Sequence, residues 1–185
     1  MNKLFVCLLL LAGVMSCKNK NEDSTKTYFS VVGYLGGEVK KMDSLPLHFT
    51  KITTIDSTSD TVSITKKEFH QYADEFLNLP DISSRSGVKN YTEANDFDEI
   101  MNNVLLIYTA KNADDEVRSE TIMMEPDEAG NTYVKTILAN TISAGKDGTV
   151  EKNLTWHISQ RFQIVTKTTK PGQPEKITTI AVYWE

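Results

Sequence analysis

The chain has 185 residues, 39% hydrophobic and 24% charged, with two cysteines and a formal charge of −5. That length suits one domain able to bury a core without disulfide or metal staples, and the composition excludes wholesale disorder. Net acidity argues against a nucleic-acid binder, which needs a basic surface to displace counterions from phosphates.

One apolar run, Leu4 to Met15, opens the chain behind Lys3, and no second one follows. In a helix those residues reach about 18 Å, short of the roughly 30 Å hydrocarbon core, so the run reads as an export signal and not an anchor helix. Val14-Met15-Ser16-Cys17 closes it. This tetrapeptide resembles a bacterial lipobox, with an aliphatic residue at −3, a small one at −1 and a cysteine at the cut. Val at −3, where Leu is commonest, and Met at −2 depart from the usual pattern. The resemblance implies removal of residues 1–16 and lipid attachment at Cys17, whose thiol takes a diacylglycerol and whose new amino group is acylated. An ordinary signal peptide with Cys17 incidental is the alternative. The coincidence of small residue, cysteine and polar drop-off favours the lipoprotein.

Cleavage there leaves 169 residues, with 19 lysines and arginines against 25 acids and a formal charge of −6. Cys7 leaves with the signal and Cys17 carries lipid, so disulfides, thiolate catalysis and cysteine-bound zinc are excluded for the mature chain. Residues 17–26, CKNKNEDSTK, hold nothing apolar beyond the cysteine and read as a flexible tether before a single domain over 27–185. Glu22-Asp23 loosely resembles the acidic surface-export signals of some Bacteroidetes lipoproteins; a solvated linker accounts for it equally well.

Within the domain, Phe29, Val32, Leu35, Val39 and Met42 recur at helical spacing, weakened by Gly33, Gly36 and Gly37. Residues 47–55 read as a strand, Ser57 to Asp60 as a polar turn, and 61–64 as a second strand. Thr65-Lys66-Lys67-Glu68 is a capping box, with Ile64 and Phe69 at the hydrophobic-staple positions. The helix it starts shows Phe69, Tyr72, Ala73, Phe76 and Leu77 on one face and stops at Pro80. Residues 81–99 read as a polar stretch. Strands are then expected at 104–110, 117–124, 132–143, 150–158, 161–168 and 176–184, separated by turn clusters such as Asp147-Gly148 and Pro171-Gly172. Short links favour an antiparallel meander, so the expected class is α+β: six to eight strands with one or two helices from the first half on one face.

Alternation assigns Leu154, Trp156, Ile158, Phe162, Ile164, Ile180, Val182 and Trp184 to the buried face. Lys152, Thr155, His157, Gln163 and Lys167 are expected on the other. Ile177, Ala181 and Tyr183 make the last strand apolar on both sides, which points to a central position or a covered outer face. Asp43-Ser44-Leu45-Pro46-Leu47, Leu154-Thr155-Trp156 and Lys170-Pro171-Gly172-Gln173-Pro174-Glu175 before Trp184 resemble a group of Bacteroidetes envelope lipoproteins. The resemblance implies a lipoprotein of this size and brings no activity, so no catalytic residue is carried over.

Chemistry-bearing motifs are sparse. His48, His70 and His157 lie at no helical ligand spacing, and HExxH, GxSxG, Walker and GxGxxG patterns are missing from the sequence. His70 has Asp74 at i+4, an expected boundary pair; His157 is expected to be solvated. Gly33-Tyr34-Leu35-Gly36-Gly37 lacks a preceding strand for a phosphate cradle. From Glu93 to Glu128 eleven acids face only Lys111 and Arg118, whereas 146–176 holds six bases and three acids. Asp96-Phe97-Asp98-Glu99 and Asp114-Asp115-Glu116 could steer a partner or hold calcium, but solvated hairpin turns explain them more simply. The expectation is a non-enzymatic binding or accessory lipoprotein of the cell envelope, anchored at the outer membrane through Cys17, with no cofactor, metal or nucleic acid. The alternative is a carrier cradling a hydrophobic ligand in a half-barrel-like sheet. A hydrolase would require the histidines gathered with carboxylates in a cleft.

Overall fold

The computed structural model describes residues 27–185. Cys17, the export signal and the tether lie outside them. The domain is α+β, an open nine-stranded antiparallel sheet with its helices on one face, one strand more than the sequence foretold.

The first helix, α1 (Val31–Asp43), is capped by Ser30, whose side chain accepts from the Gly33 amide. The glycines survive in it because Val31, Leu35, Val39 and Met42 are buried on its inner side. A hairpin follows, β1 (Phe49–Ile55) and β2 (Thr58–Ile64), joined at Asp56-Ser57 with Asp56 at φ 53°. Most of the expected polar turn at 57–60 is therefore strand, since Ile55 pairs directly with Thr58. Helix α2 (Lys66–Leu77) starts at Thr65 with both halves of the capping box formed. The Thr65 contacts hold the Glu68 carboxyl below its usual pKa, because they favour its charged form. Thr65→Ala is expected to cost about 1 kcal/mol by urea unfolding, with Thr65→Ser retaining most of it.

A short helix, α3 (Gly87–Asn90), leads into a meander: β3 (Tyr91–Asp98), β4 (Asn103–Ala110), β5 (Val117–Pro126), β6 (Thr132–Gly145), β7 (Gly148–His157), β8 (Arg161–Thr169) and β9 (Lys176–Trp184). Strand β3 and helix α3 were not foreseen. Two bulges interrupt the β5–β6 register, at Val117/Ser119 and Met123/Met124. At the β6–β7 hairpin Gly148 has φ 131°, and a Cβ there would sit 2.2 Å from the Thr169 carbonyl oxygen, so only glycine fits.

Sheet order is β2-β1-β9-β8-β7-β6-β5-β4-β3. The carboxy-terminal strand slots beside the amino-terminal hairpin, which explains its apolar residues on both sides by a central position. The link from β2 to β3 must then cross the whole sheet, about 38 Å at roughly 4.8 Å per strand. That crossing lays α2 over one face, with α1 beside it. Beneath them lies the expected buried set, Leu154, Trp156, Phe162, Ile164, Val182 and Trp184, with Phe49, Phe69 and Phe76. Phe69 stacks on Phe49 at 4.4 Å between centroids, and Phe76 meets Trp156 edge-on at 5.0 Å.

Candidate functional site

Three features of the domain could carry chemistry: a polar groove beside α2, a buried carboxyl on β5 and the uncovered sheet face. The groove follows from helical spacing. Gln71, Asp74, Glu75 and Asn78 share one flank of α2 and overlook β6 and β7, leaving a groove of about 340 Å³ with Glu116, Thr141 and Lys152 on its other wall. Lys152 Nζ donates to Glu75 Oε2 at 2.6 Å. This corrects the expected placement of Lys152: two residues from Leu154, it shares the helix-covered face. Asp74 faces this groove, and His70 pairs instead with Asp43 at the end of α1, Nε2 to Oδ1 at 2.8 Å. A contact across two helices replaced the expected i,i+4 pair. Among the described residues no three His, Cys, Asp or Glu side chains lie together as a metal site.

Glu120 is the feature that sequence reading missed. It is 1% exposed, and neither carboxyl oxygen has a hydrogen-bond partner among the described residues. Register places it between Tyr108 on β4 and Ala139 on β6, under the helices. The surrounding tyrosines are already engaged. Tyr28 donates to the Tyr91 carbonyl at 3.0 Å, Tyr91 donates to the Val117 carbonyl at 2.8 Å, and Tyr108 accepts from the Phe29 amide at 3.0 Å. Burial, with a smaller contribution from the Asp81 charge, pushes the Glu120 carboxyl up to about 8. Burial also pushes the Tyr91 and Tyr108 hydroxyls up to about 12. A neutral acid held in the core is a proton-linked element, not a base in contact with solvent. Its signal in the sequence was the spacing of two from Ile122, which puts a charge in an apolar row.

Among the described residues the opposite face carries no helix. Its central row runs Ala94, Ile107, Thr121, Leu138, Thr155, Gln163, Ala181, Ile52 and Thr61 across all nine strands. In the next row His157 is half-buried with Nδ1 3.1 Å from Thr136 Oγ1, not freely solvated. Desolvation, then the neighbouring Arg161, lowers its pKa. Arg161 donates to the Tyr183 hydroxyl at 2.9 Å. His48 is exposed, and its backbone pairs with Glu185. The three histidines are therefore not brought together. His157 and Glu125 do line one groove of about 370 Å³, where Glu125 is taken by Lys135 at 2.7 Å. Asp96 and Asp98 lie on strand β3 and not in a turn, a correction produced by pairing with β4; Asp114 and Asp115 lie in the β4–β5 connection.

No protein-family model, curated protein or solved structure matches the chain. No described helix is long and apolar enough to cross a membrane. The arrangement offers a broad polar–aliphatic sheet surface and one buried proton-linked carboxyl.

Proposed function

We propose that this chain is an envelope lipoprotein, held at the outer membrane through lipid on Cys17, that acts as a non-enzymatic binding or accessory subunit. The observation that supports it best is one-sided coverage. Helices α1 and α2 bury one face of the sheet, while Ile107, Leu138, Val165 and Ile52 remain half-buried on a face that no described element covers. Half-buried aliphatics among threonines suit a protein contact, which mixes apolar and hydrogen-bonding area. A ligand carrier would need apolar space under the helices, and that layer is packed with Phe69, Phe76, Trp156 and Phe162.

A photo-crosslinking residue at Leu138 or Thr155 in the anchored protein is expected to capture the same neighbour from both positions, and one at exposed Lys67 to miss it. Position-independent labelling would refute a specific sheet contact. Cys17→Ala is expected to release the protein from membranes, since each buried acyl CH₂ contributes about 0.8 kcal/mol. Unchanged lipid modification of that variant would refute the anchor.

A further inference from the structure

The two edges of the sheet differ. Edge β2 carries a single charge, Asp60, whereas β3 and its turn carry Glu93, Asp96, Asp98 and Glu99 and no base. None of these four is ion-paired among the described residues. Asp96 accepts from the Phe97 amide, and Asp98 accepts from the Ile100 and Met101 amides, so both shape the turn. Within this acidic rim stand Phe97, 50% exposed, Ile100, 94%, and Met101, 57%. Solvated turns do not require three adjacent apolar side chains in water.

The backbone of β3 is equally open. The Lys111 amide donates to the Asn90 carbonyl at 2.8 Å, so antiparallel alternation turns the N–H and C=O groups of Tyr91, Glu93, Asn95 and Phe97 outward. The Tyr28 hydroxyl closes this edge at the Tyr91 carbonyl, and Asp96 holds the Phe97 amide. Among the described residues, Glu93 and Asn95 are left with free outward donors and acceptors. On the helix-covered face, Phe97, Val104, Met124 and Val134 follow one another across β3 to β6, forming an apolar ledge that runs into the core.

We propose that the free edge of β3, with its apolar turn, docks an extended basic segment of a partner protein as a tenth strand. This rests on the binding-subunit reading and adds to the open-face contact a second one, at the sheet edge, with its chemistry. Main-chain bonds at Glu93 and Asn95 give the pairing, and side-chain alternation gives the choice of sequence. An incoming strand places an apolar residue beside Phe97 on the ledge, a basic one beside Glu93 on the same face and a basic one beside Asp96 on the other. A second copy is disfavoured, because two β3 edges would gather eight carboxylates along one seam. Its β2 edge brings only another acid. The chain's own tether has lysines but no apolar residue to cover Phe97.

The test uses purified, detergent-solubilised protein and a blocked peptide of about seven residues, Lys-Val-Lys-Thr-Thr-Lys-Thr, which paired antiparallel sets valine beside Phe97 and lysines beside Asp96 and Glu93. Hydrogen exchange at Glu93 and Asn95 is expected to be fast in the free protein and slowed by the peptide. Asn95→Pro removes an outward donor that the β4 ladder does not use, and Phe97→Ser removes the ledge. Each is expected to weaken binding at least tenfold while protection in β5 to β9 stays unchanged. The same peptide with glutamate in place of each lysine is expected not to bind. Binding without protection at Glu93 and Asn95, or binding indifferent to Asn95→Pro, would overturn the proposal in favour of plain charge attraction. Protection already present in the free protein, or a dimer by sedimentation, would overturn it in favour of the tether or a second copy. None of these results depends on the crosslinks from the open sheet face, so the two readings fail separately.

Discussion

Replacing Glu120 with methionine is expected to stabilise the domain increasingly as pH rises, the gain growing by on the order of 3 kcal/mol between pH 4 and pH 7. The unfolded chain loses this proton near its model value of 4.5, whereas the folded chain holds it to about 8. Between those values the folded state binds more protons than the unfolded one. Wild-type stability therefore falls with pH through that window and levels off above it. Below pH 4.5 both states are protonated, and methionine gains only the smaller benefit of removing an unpaired polar group, about 1–3 kcal/mol. Glu120→Gln separates the two effects: it retains the unpaired polar atoms but flattens the pH dependence. Urea midpoints from pH 4 to 9 would decide it. A wild-type curve flat between pH 5 and 8 would mean that the carboxyl has found a partner or water. Glu120 pairs across the sheet with Tyr108, whose ring packs on Tyr28 at 4.7 Å, so proton release would loosen the start of the described domain.

Trp156→Ala is expected to remove about 3–5 kcal/mol, a large share of the roughly 5–15 kcal/mol that holds a domain folded. Trp156 is fully buried, with ring centroids of Phe162, Phe76 and Trp184 at 4.9, 5.0 and 5.7 Å. With Trp156 itself, these rings come from three strands and a helix. An alanine leaves a void that four elements border and cannot close together without moving the sheet. Trp156→Phe should lose much less, because the indole Nε1 has no partner among the described residues and its removal deletes a buried unsatisfied donor. Urea unfolding at pH 6, where Glu120 stays protonated in the fold, keeps the two effects apart. An alanine variant with wild-type stability would show that the α2–sheet interface is not what holds the domain.

Features set by near neighbours were legible in the sequence. Thr65 and Glu68 lie three residues apart and form their box without help from the rest of the chain. Leu154 and Trp156 declare their face by alternation, as do Ile180 and Val182. Strand β3 was not legible because Tyr91-Thr92-Glu93-Ala94-Asn95-Asp96-Phe97-Asp98 has little β propensity of its own and is extended by its pairing with β4. His70 and Asp74 were one helical turn apart, yet Asp43 arrived from a different helix and took the imidazole.

By itself, then, the sequence determined most segments: where α2 starts and stops, that the β6–β7 hairpin turns tightly at Asp147-Gly148, which face of the later strands is apolar, and that residues 27–185 hold no cysteine. Those properties come from hydrogen bonds and alternation acting over a few residues. Only the tertiary structure decided that β9 slots beside β1, that β2 and β3 become the edges, that no described helix covers one sheet face and that Glu120, of eleven acids in its stretch, is the one sealed in the core. Each of these depends on which distant segments meet, and a spacing of two or four residues does not encode that.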